Sequence, residues 1–312
     1  MNLSLFFFLA VLTLFLGYTY KVLWHYFSMN STPKGFGVLM PMLLLISLKK
    51  MSFFEPLSLA LWVISLLSVI YWLDDLYEIN PLFRVALSFI SGVSLYLLSI
   101  FNSGETFLPG IIGLAVFYGL INVILTNVLN FYDGADLNIS LLILLSCLCS
   151  LFNPISQDLQ HVIFSAIVFI ASFSFLNRRP NYLYFGDAGT FAYSSLITSI
   201  MIFKMQSSLA ISLEFFIPFL LPVLDVFYVI YVRIKSKENL LTRNYLHLYQ
   251  KLNDRFDNKF YLLPQIVNFI ICLFTLYLIK DLQLNNLIIL ILLSFITITV
   301  YKSFLKITSL RP

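Results

Sequence analysis

Apolar residues fill this chain in long blocks broken by short polar stretches. A hydrocarbon core takes roughly 20 apolar residues per helix, or somewhat fewer where polar ends are shared with neighbours. Eleven blocks meet that description: Leu3–Trp24, Phe36–Leu48, Leu57–Leu73, Leu82–Phe101, Leu108–Leu125, Leu137–Phe152, Val162–Leu176, Ala188–Phe203, Leu209–Val232, Leu262–Ile279 and Leu284–Val300. The pattern predicts an all-α, polytopic integral membrane protein of about eleven transmembrane helices. No basic residue precedes the first block and no small-residue cleavage site follows it, so it reads as a retained span rather than a secretory signal.

Composition agrees, with 60% hydrophobic and 11% charged residues and a mean hydropathy of +0.92, against about 25% charged in soluble domains. Charge then sets orientation, because Lys and Arg accumulate on cytoplasmic loops. With the N-terminus outside, only Lys49, Lys50, Lys204 and Lys280 of the nineteen basic residues fall on the outer side. The C-terminus is then cytoplasmic. Basic inner loops favour anionic lipid headgroups, and nothing in the charge pattern implies nucleic acid. Cys147, Cys149 and Cys272 lie inside apolar blocks, where a free thiol behaves as a small hydrophobe.

The polar breaks carry the chemistry. Asn127-Val-Leu-Asn-Phe-Tyr-Asp-Gly-Ala-Asp136 follows the fifth block directly. Carboxamides and carboxylates at a membrane edge need partners, and a cation, a phosphate or water can supply them. If the helix runs to about Tyr132, Asn127 and Asn130 share a face, and Gly134 can end the helix as a C-cap. A polar helix end capped by its own side chains is the plainer account. Hard oxygen donors with few carboxylates suit Mg²⁺, which keeps waters and shares substrate phosphates.

Further acids collect at the same face. Asp74 and Asp75 end the third block, and adjacent like charges there raise their own pKa values unless cations neutralise them. Between the seventh and eighth blocks, Tyr184-Phe-Gly-Asp-Ala-Gly-Thr190 puts Asp187 at a helix start. Free helix N–H groups there favour phosphate, although an Asp N-cap explains the motif equally. Asp225 sits within the ninth block and is by default a partnered or functional acid. The longest loop, 233–260, contains Arg243, His247 and Lys251, and Leu246, Leu248 and Leu252 suggest a short interfacial helix within it. In the first inner loop, Lys34 lies between Pro33 and two glycines, where it can approach a phosphate or simply occupy a turn.

These pieces, in this order, resemble the polyprenyl-phosphate N-acetylhexosamine-1-phosphate transferase family (glycosyltransferase family 4), over roughly Thr32 to Leu252. The most specific match is Asn127-xx-Asn130-xx-Asp133-Gly-x-Asp136. Asp74-Asp75, Gly186-Asp-Ala-Gly-Thr190 and Pro222-Val-Leu-Asp225 also fit. The family's inner histidine loop is often His-x-His-His, whereas here only His247 is present, which resembles the subgroup acting on deaminated or 6-deoxy amino sugars. The resemblance implies one membrane-embedded domain over 1–312, with loop 233–260 completing a cytoplasmic active site in a bacterial inner membrane. It implies Mg²⁺, or alternatively Mn²⁺, on Asn130 and Asp187. It gives catalytic roles to Asp74, Asp75, Asp133 and His247, and substrate contacts to Lys34, Asn127, Asp136, Tyr184, Asp225 and Arg243. The implied partners are polyprenyl phosphate, a UDP-N-acetylamino sugar and membrane lipid, and a homodimer stays open.

Two other classes compete. A transporter or lipid flippase predicts acids near span centres and matching broken helices, yet here the acids cluster at one face. A CDP-alcohol phosphotransferase requires Asp-Gly-x-x-Ala-Arg, and after Asp133-Gly134 this chain reads Ala-Asp-Leu-Asn.

Overall fold

The computed structural model describes residues 3–28, 32–48, 55–77, 79–101, 109–151, 156–178, 183–205, 214–239, 246–256, 260–282 and 286–309. Among them the regular structure is helical throughout. The helices are α1 (Leu3–Ser28), α2 (Leu39–Ser47, preceded by a 3₁₀ turn Phe36–Val38), α3 (Pro56–Tyr77), α4 (Pro81–Phe101), α5 (Pro109–Tyr132), α6 (Asn138–Leu151), α7 (Gln157–Leu176) and α8 (Gly186–Met205). They continue with α9 (Leu220–Lys235, after a 3₁₀ segment Glu214–Phe219), α10 (Leu248–Arg255), α11 (Leu263–Leu282) and α12 (Asn286–Ser309).

Local sequence explains several starts. Proline opens α3, α4 and α5, where its missing N–H costs nothing and its fixed φ fits the first turn. Asn80 Oδ1 accepts the Leu82 N–H at 2.9 Å, and Ser156 Oγ accepts the Leu159 N–H at 3.3 Å. Both are side-chain caps for otherwise orphaned helix donors.

The described residues of each expected apolar block fall on helix apart from single terminal residues, and the predicted short helix in loop 233–260 is α10. By length and composition, seven of the helices can cross a membrane: 3–27, 56–77, 81–100, 110–132, 157–176, 217–235 and 291–309. Three shorter apolar helices, 36–47, 138–151 and 263–278, accompany them. The eighth block, α8, is absent from the seven despite its 20 residues. Packing accounts for that difference. The chain forms two compact units, Met1–Ser212 and Leu213–Pro312, and within the first α8 packs on α2, α3, α4 and α5. All of its residues from Ala188 to Ile202 are buried.

A helix enclosed by other helices can carry hydroxyls that lipid would reject. Asn122 Nδ2 donates to Ser88 O at 2.8 Å and to Ser195 Oγ at 3.2 Å, while Thr198 Oγ1 donates to Asn122 Oδ1 at 3.2 Å. Thr126 and Ser194 hydroxyls meet at 2.6 Å. Lys204, assigned to the outer side by charge counting, is buried and donates to Ser150 O at 3.2 Å.

In the second unit α12 packs on α9, α10 and α11. Its core includes Leu221, Leu248, Leu252, Tyr301 and Phe304. The three cysteines are buried free thiols.

Candidate active site

In the first unit the acids converge on the start of α8. The approach is tight because glycines allow it. Gly35 has φ +85° and Gly186 φ +78°, left-handed values that glycine adopts without steric cost. A Cβ on Gly186 would run into the Gly35 backbone and the Asp75 carboxylate. The Lys34 loop pairs with the segment before α8: Tyr184 N–H donates to Pro33 O at 2.9 Å and Gly37 N–H to Phe185 O at 3.0 Å. Half-buried Lys34 is fixed from the other side by Tyr20, whose hydroxyl donates to Lys34 O at 2.6 Å and accepts from Trp72 Nε1 at 2.9 Å.

Asp75 Oδ1 accepts the Asp187 N–H at 3.2 Å and Asp75 Oδ2 the Ala188 N–H at 3.1 Å. Asp133 Oδ2 accepts the Gly186 N–H at 2.7 Å. The helix donors expected to be open for phosphate are therefore held by two carboxylates from α3 and from the turn after α5. Negative charge at a helix N-terminus is favourable, so the acids themselves fill the anion position.

Arg84 on α4 completes the cluster. Its guanidinium Nη1 lies 3.0 Å from Asp74 Oδ2 and also bonds Asp187 Oδ2, so one cation joins the acid pair of α3 to the acid of α8. Asp74 also accepts the Ile79 N–H at the end of α3. Tyr71 donates to Arg84 O at 2.5 Å. Sequence reasoning passed over Arg84, counting it only among inner-side cations. The available signal was its place ten residues after Asp74, one short turn into the next helix at the same edge.

The turn after α5 is built differently from expectation. Gly134 is not among the described residues with positive φ; Leu137 takes the left-handed conformation at φ 63°. Asn177 explains how a leucine is held there, accepting the Leu137 N–H at 2.8 Å and donating to Leu183 O at 2.9 Å. The α5–α6 turn is thus tied to the end of α7. Asn127 and Asn130 are both half-buried on α5, with Asn127 Nδ2 donating to Val123 O at 2.8 Å. Asp136 and Tyr184 are half-buried as well.

Asp133 Oδ1 is buried with no hydrogen-bond partner. Burial pushes the Asp133 carboxyl well above the usual range, the Gly186 N–H opposes it, and the Asp75 and Asp187 charges add to it. Among the described residues no three acidic, histidine or cysteine groups gather closely enough to form a complete metal shell. Mg²⁺ is usually held by one or two carboxylates, with water and substrate phosphates completing the shell. Hard oxygens beside an unsatisfied buried carboxylate oxygen fit such a cation.

In the second unit Asp225 on α9 is fully buried and accepts from His247 Nδ1 at 3.0 Å, Leu248 N–H at 3.1 Å and Tyr301 Oη at 2.9 Å. The histidine that sequence alone placed in a loop is buried, at 1% exposure. It stands at the start of α10, where its N–H donates to Gln250 Oε1 at 3.1 Å. Half-buried Lys251 lies 5.8 Å over the Tyr228 ring, and burial lowers its ammonium pKa. Arg243 lies outside the described residues.

Residues 57–205 match the family model of glycosyl transferase family 4. The phospho-N-acetylmuramoyl-pentapeptide-transferases of two Streptococcus suis strains are each 26% identical over 205 residues, covering 58% of this chain and 61% of the relative. The chain thus spans less than two thirds of the length of these curated relatives. The matched segment holds Asp74, Asp75, Arg84, the Asn127–Asp136 motif and Asp187. Residues 57–205, where α3 to α8 bring four acids and one arginine together, are thus the part of the chain that is similar to glycosyl transferase family 4.

Proposed function

We propose that this protein transfers an N-acetylamino-sugar 1-phosphate from a UDP-sugar to polyprenyl (undecaprenyl) phosphate. The products are UMP and a lipid-diphosphate-sugar, the first intermediate of a cell-surface glycan. The observation that carries the reading is the joining of Asp74, Asp75, Asp133 and Asp187 at the start of α8 through Arg84 and three backbone N–H groups. Three segments contribute acid to one small volume, an arrangement costly in a membrane unless it serves anionic substrates and their counter-cation.

A lipid phosphate oxygen attacks the sugar-bearing phosphorus of the nucleotide sugar, and the bond from that phosphorus to the bridging diphosphate oxygen breaks. UMP departs with that oxygen. Both reactants are anions, so the barrier is largely repulsion and alignment, which positioning and electrostatics lower. A phosphate monoester has its second pKa near 6, so the nucleophile is already mostly dianionic at neutral pH and needs no strong base. Asp74 and Asp75 are assigned to orient the lipid phosphate and Arg84 to hold Asp74 and Asp187 in register. Asp187, Asn130 and the unsatisfied Asp133 Oδ1 would hold Mg²⁺ or Mn²⁺, which when bound supplies positive charge to the diphosphate. Asn127, Asp136, Tyr184 and Lys34 are assigned to the nucleotide.

In the second unit the reading rests on motif correspondence alone: His247 and Arg243 to the pyrophosphate, while the buried Asp225, its carboxylate already taken by protein donors, is not assigned the substrate contact its motif implied. The lone histidine supports an amino sugar other than the one named in the Streptococcus relatives. The positive-inside asymmetry supports a site on the cytoplasmic face of a bacterial inner membrane. The test is release of UMP from a panel of UDP-amino sugars by membranes supplied with polyprenyl phosphate. Asp187→Asn is expected to lower cation-dependent release by on the order of 10²-fold or more; near-normal turnover would remove Asp187 from the cation site.

A further inference from the structure

The second unit contains a polar cluster that the motifs describe only in part. Asp225 has no exposed surface, yet three donors from two elements converge on its carboxylate: Tyr301 Oη of α12, and the Leu248 N–H and His247 Nδ1 at the start of α10. From these contacts we propose that Tyr301 and Asp225 are positioning residues that fix the ring orientation and tautomer of His247. Tyr301 lies outside both the family-matched segment and every sequence motif. This inference deepens the role proposed above for His247 and rests on that reading for its catalytic consequence.

The chemistry follows from counting donors. A tyrosine hydroxyl and a backbone N–H both point their hydrogens at Asp225, a pattern that suits an ionised, acceptor-only carboxylate. The histidine nitrogen facing the same carboxylate must then be a donor, so Nδ1 carries hydrogen in the neutral and in the charged ring. The hydrogen that His247 gains or gives is therefore the one on Nε2. A carboxylate or carbonyl behind one imidazole nitrogen is the usual way to set which nitrogen acts outward. Removing that carboxylate while keeping its shape has a large effect where the tautomer matters.

Geometry makes the arrangement rigid. Asp225 is one turn into α9, Leu248 is the first residue of α10, and Tyr301 stands on the long α12. Tyr228, one turn after Asp225, packs edge-on against the Tyr301 ring at 5.6 Å, and Leu221, Leu248, Leu252 and Phe304 close the cluster. The hydroxyl of Tyr301 is held in place by an aromatic wall, and through Asp225 it holds His247. Tyr249 stacks on the imidazole with an interplanar angle of 12° and centroids 6.4 Å apart, which fixes the ring plane.

The experiment pairs spectroscopy with kinetics on the full chain in nanodiscs. The protein has three histidines, so ¹⁵N-histidine spectra are assigned to His247 by comparison with His247→Ala. The expected wild-type signature is a protonated Nδ1. Asp225→Asn is expected to abolish that signature, and Tyr301→Phe to shift it. Tyr301→Phe, which removes one hydroxyl and leaves the ring packing, is expected to raise KM for the UDP-sugar roughly 2- to 10-fold with a smaller change in kcat, the equivalent of one hydrogen bond. Tyr228→Phe, which removes a neighbouring hydroxyl and keeps the ring against Tyr301, should leave both readouts unchanged. An Nε2–H tautomer in the wild type, or Tyr301→Phe spectra and KM matching the wild type, would overturn the proposal. If Tyr301→Phe shifts the ring signal while His247→Ala leaves transfer intact, the anchoring stands and the assignment of His247 to the reaction falls.

Discussion

Both units bury carboxylates, and they neutralise them by opposite means. In the first unit several acids compete for few hydrogens: Asp75 and Asp133 take the backbone donors of α8, Asp74 and Asp187 share Arg84, and Asp133 Oδ1 goes without. In the second, one acid receives three donors from two elements among the described residues. The first arrangement leaves an excess of negative charge that a cation and charged substrates can use; the second is locally complete. Burial of a carboxylate is therefore no guide to its role until its donors are counted.

Substitutions can break this contrast. Gly186→Ala should act most strongly, because φ +78° and the Gly35 backbone leave no room for a methyl. A loss on the order of 3 kcal/mol or more is expected, read as a large fall in the thermal midpoint in detergent, together with loss of UMP release. Arg84→Gln removes the one cation seen between Asp74 and Asp187. Since Arg84 is partly exposed, about 1–3 kcal/mol is expected rather than the full cost of an orphaned buried charge. Arg84→Lys should recover part of that, since a single nitrogen, Nη1, meets both acids and an ammonium keeps the charge.

A pH series should sharpen the comparison with the least perturbation. A carboxyl whose folded pKa is raised is protonated more readily when folded, so its contribution to stability is present at low pH and lost as pH rises through the raised value. Cation binding runs the other way, because it requires the ionised form. Mn²⁺ affinity, followed by electron paramagnetic resonance without substrate, is therefore expected to weaken on acidification well above the ordinary carboxylate range. Loss only near pH 4 would detach Asp133 from the cation.

Much of this was legible in the sequence, for identifiable reasons. Apolar block length gave the helices because lipid imposes it on every span, and the end of α5 at Tyr132 follows from the polar residues after it. The acids were visible because charge at a membrane edge is conspicuous. What stayed hidden depends on who meets whom. Arg84 resembled any inner-face cation until α4 set it beside α8, and Tyr301 resembled any interfacial aromatic until α12 set it against α9. Leu137 occupies a conformation normally given to Gly134 because Asn177, forty residues later, holds its backbone. No local pattern encodes such pairings.

The hydroxyl-bearing face of α8 also bears on how this chain enters a membrane. Hydroxyl and amide side chains lower the tendency of a lone helix to partition into lipid, and Thr190, Ser194, Ser195, Thr198 and Ser199 all lie on this one segment. The partners of Ser194, Ser195 and Thr198 on α4 and α5, Ser91, Asn122 and Thr126, are synthesised earlier. The ribosome thus delivers α8 after its sheath exists, and the helix that carries Asp187 is admitted to the bilayer by helices already there.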